Sequence, residues 1–336
     1  MSSTAGIISK LSSGTGINII NIGLMLISLV ASFILPFEVF LFSYAVLGPL
    51  HYLTEISWLE KKNYFVKAKK DIWVFVIMVL AITIGIFDNG SKFNNIIGSI
   101  LFSGFVYALV ILFTEKPVVK LVALVFVFML SLILGFNIYP KLPFLLFAIW
   151  LPTIIHVYFF TGAFILFGAM KSKSVSGIVS LIVFICCAVA CFIYMPENVG
   201  MAVTEYGKNA YHLFKLLNTS LYSTFGYGEL STSDDALFFA PKAIAIMRFI
   251  AFAYTYHYLN WFSKTTVIKW NEISRQRMII IILLWVLSVV LYYFSYKIGF
   301  YALFLLSMLH VFFEFPLNHQ TFIGIGKEFK TMLKKR

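Results

Sequence analysis

The chain has 336 residues, of which 61% are hydrophobic and 12% are charged, and its formal net charge is +12. A soluble domain carries about 25% charged residues, so this composition excludes a soluble enzyme, a disordered chain and a disulfide scaffold. It indicates an all-α, polytopic transmembrane helical bundle, since membrane helices of about 20 apolar residues each would use most of the hydrophobic positions.

Apolar runs separated by polar clusters predict about ten membrane spans. We place them at residues 17–35, 36–56, 72–88, 95–114, 118–138, 142–168, 176–195, 238–262, 278–296 and 298–316. A tight turn at Pro36 separates the first two. Only Lys10 precedes the first run and no cleavage site follows it, so we expect no removable signal peptide. Residues 1–336 are predicted to form a single integral membrane domain with a long outer loop at 196–237.

The positive charges are distributed unevenly between the two sets of connections. Nineteen of the 26 Lys and Arg residues lie in the terminal segments and in alternate connections, namely 59–71, 115–120, 169–175 and 263–277. Six lie in the opposite set, and Arg248 lies inside a span. Because basic residues accumulate on the cytoplasmic side of a membrane, both termini are predicted to be cytoplasmic. The excess charge thus indicates orientation, and we expect no nucleic-acid partner.

The cysteines do not indicate a disulfide framework or a zinc site. Cys186, Cys187 and Cys191 all lie in one predicted span, at spacings typical of neither. We expect them to be buried and inert, because a free cysteine usually behaves as a small hydrophobic residue.

Four of the six histidines, His51, His156, His257 and His310, lie in predicted spans. These spans run in the same direction, from outside to inside, and each histidine lies in the middle or cytoplasmic half of its span. Ionisable residues inside a membrane are costly and usually functional, and imidazole is a common ligand of iron, copper, nickel and zinc. We therefore predict that the four side chains converge at a similar depth and ligate a metal ion. For each histidine taken singly, a hydrogen bond to a neighbouring helix is the alternative.

Two of these histidines are followed by a glutamate four residues later, in the pairs His51/Glu55 and His310/Glu314. Residues at positions i and i+4 share a helix face. Each glutamate is therefore predicted to lie one turn from its histidine, where it can orient the imidazole or ligate the metal directly.

The remaining polar residues near these segments receive simpler predictions. His212 and His319 lie outside the predicted spans, and we expect solvated or interfacial roles for both. Asn260, Trp261 and Asn318 are predicted either to support the histidine cluster or to contribute to helix interfaces.

The order of these segments resembles a known family. The segments are Gly48-Pro49-Leu50-His51 followed by Glu55, Ile154-Ile155-His156, Tyr256-His257, and Leu309-His310 followed by Glu314. They are similar to the histidine motifs of the bacterial membrane-bound carotenoid dioxygenases of the Brp/Blh type, and the similarity covers most of the second to tenth spans. It implies a multi-pass protein of the bacterial inner (cytoplasmic) membrane, in which histidine-ligated Fe(II) uses O2 to split β-carotene into two retinals. It also implies His51, His156 and His257 as iron ligands.

The sequence departs from the family pattern at three places. Trp261 stands where the third motif has a second histidine, and no acidic residue follows His156 as in the family. Glu55 and Glu314 stand where the family has aspartate. We therefore assign His310 as the candidate fourth ligand. Another apolar, lipid-soluble substrate, or a relative without the activity, remains an alternative to β-carotene cleavage.

A different functional class is indicated by Thr224-Phe225-Gly226-Tyr227-Gly228 in the outer loop. This segment resembles the selectivity filter of potassium channels, with residues 211–223 as a pore helix or a short interfacial helix. A glycine-rich turn at the membrane surface is the simpler interpretation of the same residues. A noncatalytic subunit of a larger membrane complex is a third alternative, because such a role requires no short motif.

Overall fold

The computed structural model of the chain describes residues 14–87, 93–133, 144–193, 203–230 and 233–334. Within these ranges the regular elements are all helical, and none is a strand. The predictions that concern Lys10, Lys92, Lys141 and residues 194–202 lie outside the described residues.

Long helices form most of the described chain, and the shorter ones lie mainly between residues 205 and 239. The helices are α1 (Gly14–Ile34), α2 (Pro36–Lys61), α3 (Ile72–Phe87), α4 (Phe93–Phe113), α5 (Pro117–Ile133), α6 (Phe144–Phe160, continuing as Thr161–Ser172), α7 (Val175–Ile193), α8 (Glu205–Tyr211), α9 (Lys215–Thr224), α10 (Asp234–Phe239), α11 (Pro241–Ser263), α12 (Thr265–Ile268), α13 (Arg275–Phe294) and α14 (Tyr296–Leu333).

Seven helices in the described part of the chain are long and apolar enough to cross a membrane: α1, α2, α4, α6, α7, α13 and α14. Helix α5 has 17 residues and α3 has 16, which corresponds to a rise of about 24–26 Å. Helix α11 has 23 residues but carries Arg248, His257 and Asn260, and it is not among the seven. The all-helical, membrane-type architecture is confirmed at this level, whereas the count of ten spans and the orientation of the termini stay predictions.

Of two predicted boundaries, the end of the last span is corrected and the turn at Pro36 is confirmed. The last span was placed at 298–316, but α14 continues without interruption to Leu333, with Pro316 inside it. The tight turn at Pro36 is confirmed, because α1 ends at Ile34 and Pro36 is the first residue of α2. Proline is favourable at a helix start because its missing N–H would have no partner there.

By their internal packing, the helices group into two compact units, residues 1–51, 157–299 and 325–336 in the first and residues 52–156 and 300–324 in the second. In the first unit, α11 is buried along most of its length. Tyr256 and Ser263 of α11 donate to Asn21 of α1 at 3.2 and 3.1 Å, and Ser43 shares a 2.8 Å hydrogen bond with Thr255. A helix enclosed by other helices can carry polar residues that a lipid-facing helix cannot, which explains the polarity of α11.

In the second unit, aromatic residues of α14 pack against α3 and α4. Gly104 of α4 packs directly against the ring of Phe312, where any Cβ would collide, and Phe75 lies 6.0 Å from the same ring. Small residues allow such close approach between membrane helices. A buried ion pair, Lys120 Nζ to Asp71 Oδ2 at 2.6 Å, links the starts of α5 and α3.

Candidate metal centre

The four span histidines and both glutamates are buried, as the sequence predicts. The exposed fraction is 1–7% for His51, His156, His257 and His310 and 3% for Glu55 and Glu314. They lie on α2, α6, α11 and α14. Burial of this many ionisable side chains requires partners for all of them, because an isolated buried charge or polar group is strongly unfavourable.

Proline perturbs the helix next to two of the histidines. Pro49 follows a π-helical turn at Ser43–Leu47, and the Trp285 indole donates to the Val46 carbonyl at 2.8 Å. In α6, Pro152 lies four residues before His156. The next residue, Thr153, has non-helical backbone angles, with φ −117° and ψ −105°. Proline and π-turns redirect the side chains that follow them, and both are tolerated in membrane helices where nearby groups satisfy the backbone.

The first unit holds a histidine pair. Nε2 of His51 and Nε2 of His257 lie 3.1 Å apart. Thr161 Oγ1 lies 2.8 Å from Nδ1 of His257, and the His51 ring packs edge-on against Trp261, with centroids 5.5 Å apart. A hydroxyl that accepts from Nδ1–H leaves the Nε2 lone pair of His257 directed at its partner. Trp261 therefore packs against the ring of a candidate ligand.

The second unit holds a second histidine pair. Nε2 of His156 and Nε2 of His310 lie 3.1 Å apart. Oε2 of Glu314 lies 3.0 Å from Nδ1 of His156, and the Tyr52 ring is stacked on His310 at 5.8 Å between centroids. A carboxylate beside Nδ1 favours the tautomer that keeps Nε2 available as a ligand, as in carboxylate–histidine–metal arrangements.

Both carboxylates belong to the surroundings of the second pair. A carboxylate oxygen of Glu55 and a ring nitrogen of His310 lie within 4.8 Å of one another, and Glu55 and Glu314 interact electrostatically. The i+4 spacing predicted that Glu314 serves His310 on its own helix. The observed close contact with Nδ1 of His156 joins α14 to α6 instead, so sequence spacing identified the residue but missed this partner.

These residues fit a metal ion. Two imidazoles bound to one ion with bonds of about 2.1 Å hold their nitrogens roughly 3.0–3.4 Å apart, and each pair meets this distance with 3.1 Å. The same distance also suits an N–H···N hydrogen bond between neutral imidazoles, which satisfies one nitrogen of each ring. One ring of each pair, His257 or His156, has an orienting group at Nδ1, which leaves its Nε2 lone pair able to accept a hydrogen bond or to ligate a metal.

Two smaller predictions, those for His319 and Cys186, are corrected by the structure, and the burial of Asn318 is consistent with its prediction. His319, expected to be solvated or interfacial, is buried in α14, with Nε2 2.7 Å from the Phe105 carbonyl oxygen. Cys186 is exposed, whereas Cys187 and Cys191 are buried as expected. Asn318 is buried, and its side-chain amide has no hydrogen-bond partner among the described residues.

Sequence reasoning missed Thr161 and Tyr52 as neighbours of the histidines. Both lie in apolar segments, where a single threonine or tyrosine is common and carries no motif. Thr161 contacts His257 because α6 packs beside α11. Within the second unit, Tyr52 contacts His310 because α2 packs beside α14.

The filter-like segment forms the end of a short helix. Tyr227 N–H donates to the Tyr222 carbonyl at 3.2 Å and Gly226 N–H donates to the Ser223 carbonyl at 3.1 Å. With Gly226 at φ +77°, this is a Schellman helix end, in which glycine supplies the left-handed residue. The short helix predicted in the outer loop is confirmed as α9, and helix termination accounts for the first glycine of the filter-like pattern.

The fold and the site define a general class, namely a helical protein with membrane-type helices and buried histidine groups able to hold a metal ion. Comparisons with protein-family models, with curated proteins and with solved structures find no match for this chain.

Proposed function

We propose that this chain is a membrane-embedded, metal-dependent oxygenase that binds Fe(II), with His51, His156, His257 and His310 as the candidate ligands. The observation that carries the proposal is the donor set of the second pair, in which two buried imidazoles 3.1 Å apart lie beside two buried carboxylates. Imidazole is a common ligand of iron, and a carboxylate beside a ligating imidazole orients the ring and raises its basicity. When bound, the iron supplies the binding and activation of O2.

The charges of the second pair support a divalent cation. Glu55 and Glu314 are both buried and interact with each other. Two carboxylates in one apolar region repel each other when ionised. A divalent cation beside them offsets this repulsion, and neutral imidazoles add ligands without adding charge.

The protein's own groups have distinct roles in this proposal. Thr161 and Glu314 hold the Nδ1 sides of His257 and His156, so that both Nε2 atoms remain available. Trp261 and Tyr52 pack against the other two imidazoles and restrict their rotation. Ligands held by such contacts keep their geometry in the absence of substrate, which lowers the cost of binding the metal.

The proposed substrate is an apolar polyene such as β-carotene. A carotenoid dissolves in the bilayer, so a site buried among membrane helices meets it there. Aromatic residues make up 18% of the chain, and they suit contact with a flat, rigid ligand. In the reaction, both atoms of O2 add to one carbon–carbon double bond, which breaks to give two carbonyl products.

The proposed topology has ten spans and cytoplasmic termini in a bacterial inner membrane. It adds α3, α5 and α11 to the seven helices that are long and apolar enough to cross a membrane. The first two are short, and the third is enclosed by other helices. The distribution of Lys and Arg supports the orientation.

Expression in a β-carotene-producing host tests the reaction. We expect loss of the orange colour and formation of retinal in the presence of O2, and loss of both effects in His156→Ala. His212→Ala is the matched control, because His212 is an exposed histidine of the outer connection. Unchanged carotenoid with correctly folded, iron-loaded protein would exclude β-carotene as the substrate.

A further inference from the structure

The connection between α2 and α3 carries an exposed cluster of positive charge. Its five lysines are Lys61, Lys62, Lys67, Lys69 and Lys70, and all are exposed. The two neighbouring acids are fewer than the five lysines, and Asp71 is buried against Lys120, whereas Glu60 pairs with Lys69 at 3.3 Å. We call residues 61–71 the basic connection.

The backbone of the basic connection has an unusual conformation. Asn63, Tyr64 and Phe65 are consecutive non-glycine residues with φ of 50°, 53° and 56°. L-residues disfavour this left-handed conformation, and successive ones are rare. Surrounding contacts must therefore maintain it.

Those contacts come from α14 within the same unit. Gln320 Nε2 donates to the Phe65 carbonyl at 2.9 Å, and the Tyr64 ring packs against Phe313 with centroids 4.9 Å apart. Lys67 Nζ donates to the carbonyl of Phe113, at the end of α4, at 3.3 Å. The lysines are thus presented by a backbone fixed at several points.

The neighbouring residues identify the level of the membrane surface. Trp73, in the first turn of α3, is 68% exposed, and Phe113 is 67% exposed. Exposed tryptophan at the end of a membrane helix is typical of the headgroup region. We therefore expect the basic connection to lie at the level of the lipid phosphates, on the side predicted to be cytoplasmic.

We propose that the basic connection binds the headgroups of anionic phospholipids and that its left-handed turn fixes the lysines for this contact. The partner follows from charge complementarity at the membrane surface, since each lysine near an anionic surface contributes about a fivefold increase in affinity. The proposal is independent of the metal and of the oxygenase reaction.

Native mass spectrometry of the purified full-length chain tests this proposal, with phosphatidylglycerol and phosphatidylcholine as probes. We expect selective retention of phosphatidylglycerol and about a 25-fold lower affinity for it in Lys62→Gln/Lys70→Gln, from the loss of two lysines. The control, Lys327→Gln/Lys330→Gln, removes two exposed lysines from the end of α14 and is expected to retain wild-type affinity. Equal retention of both lipids, or equal loss in both double variants, would overturn the proposal.

Two further measurements are needed. The first distinguishes the effect of the left-handed turn from the effect of the lysine charges, and the second distinguishes lipid binding from the binding of free phosphate. Gln320→Ala keeps every lysine but releases the Phe65 carbonyl, and we expect a severalfold lower affinity for phosphatidylglycerol. An unchanged affinity would overturn the role of the turn. Millimolar inorganic phosphate is expected to leave the lipid bound, and its displacement would overturn the assignment to a lipid.

Discussion

Oε2 of Glu314 lies 3.0 Å from Nδ1 of His156, although the two residues belong to different helices and are separated by 158 positions in the chain. This contact links α14 to α6 at the second histidine pair. In the proposed metal site, Glu314 orients the ligand His156 and does not bind the metal itself. The distinction leads to a prediction about metal affinity.

Glu314→Gln is expected to lower metal affinity by about 10–100-fold, the usual effect of removing a group that orients a ligating histidine. The amide keeps the size of the side chain but not its charge. Isothermal titration of the metal-free protein with Fe(II) under anaerobic conditions measures the change. Glu115→Gln, at an exposed carboxylate, serves as the control, and equal affinity of the two variants would remove Glu314 from the site.

Thr161→Val removes the hydroxyl that lies 2.8 Å from Nδ1 of His257 while keeping the branched shape of the side chain. We expect an affinity loss of about tenfold or more, because His257 loses the group that selects its tautomer. Thr83→Val is the control, since the Thr83 hydroxyl donates to the Val79 carbonyl of its own helix. Competition with a chelator of known affinity measures both variants. If Thr161→Val binds iron as tightly as Thr83→Val, the contact is structural only.

Gly226→Ala tests the two interpretations of the outer loop. Gly226 has φ +77°, a conformation that costs an alanine about 1–2 kcal/mol, so the thermal midpoint in detergent is expected to fall. Gly168→Ala lies in a helix with open space around it and is expected to be neutral or stabilising. We also expect no potassium flux in liposomes that contain the wild-type protein. A flux abolished by Gly226→Ala would instead support the channel.

The ion pair between Lys120 and Asp71 is expected to matter for stability because it is buried. The exposed fractions of the two side chains are 5% and 7%, against 59% and 34% for Lys69 and Glu60. Lys120→Met leaves a buried carboxylate without its cation, which typically costs about 3–5 kcal/mol. The double variant Asp71→Leu/Lys120→Met is expected to recover most of this loss.

Thermal unfolding in detergent measures these effects. Glu60→Gln, which breaks the exposed pair, is expected to change stability by less than about 1 kcal/mol. If the thermal midpoint of Lys120→Met is as high as that of Glu60→Gln, the buried pair of Lys120 and Asp71 contributes little to stability.

The sequence predicts the helical architecture well, because apolar runs bounded by polar residues are governed by local composition. It also selects the buried histidines, since His51 or His310 in an apolar run is conspicuous. It misses the partner of Glu314 and the role of Thr161, because both depend on which helices pack together. It also misplaces His319, because nothing local shows that α14 continues past Pro316.

The most direct test of the account is the metal content of the chain, purified anaerobically and measured by inductively coupled plasma mass spectrometry. The account predicts iron bound to wild type and to His212→Ala, and strongly reduced iron in His257→Ala and in His156→Ala, one variant for each pair. Wild-type protein without iron, or iron content unaffected by both substitutions, would contradict the account.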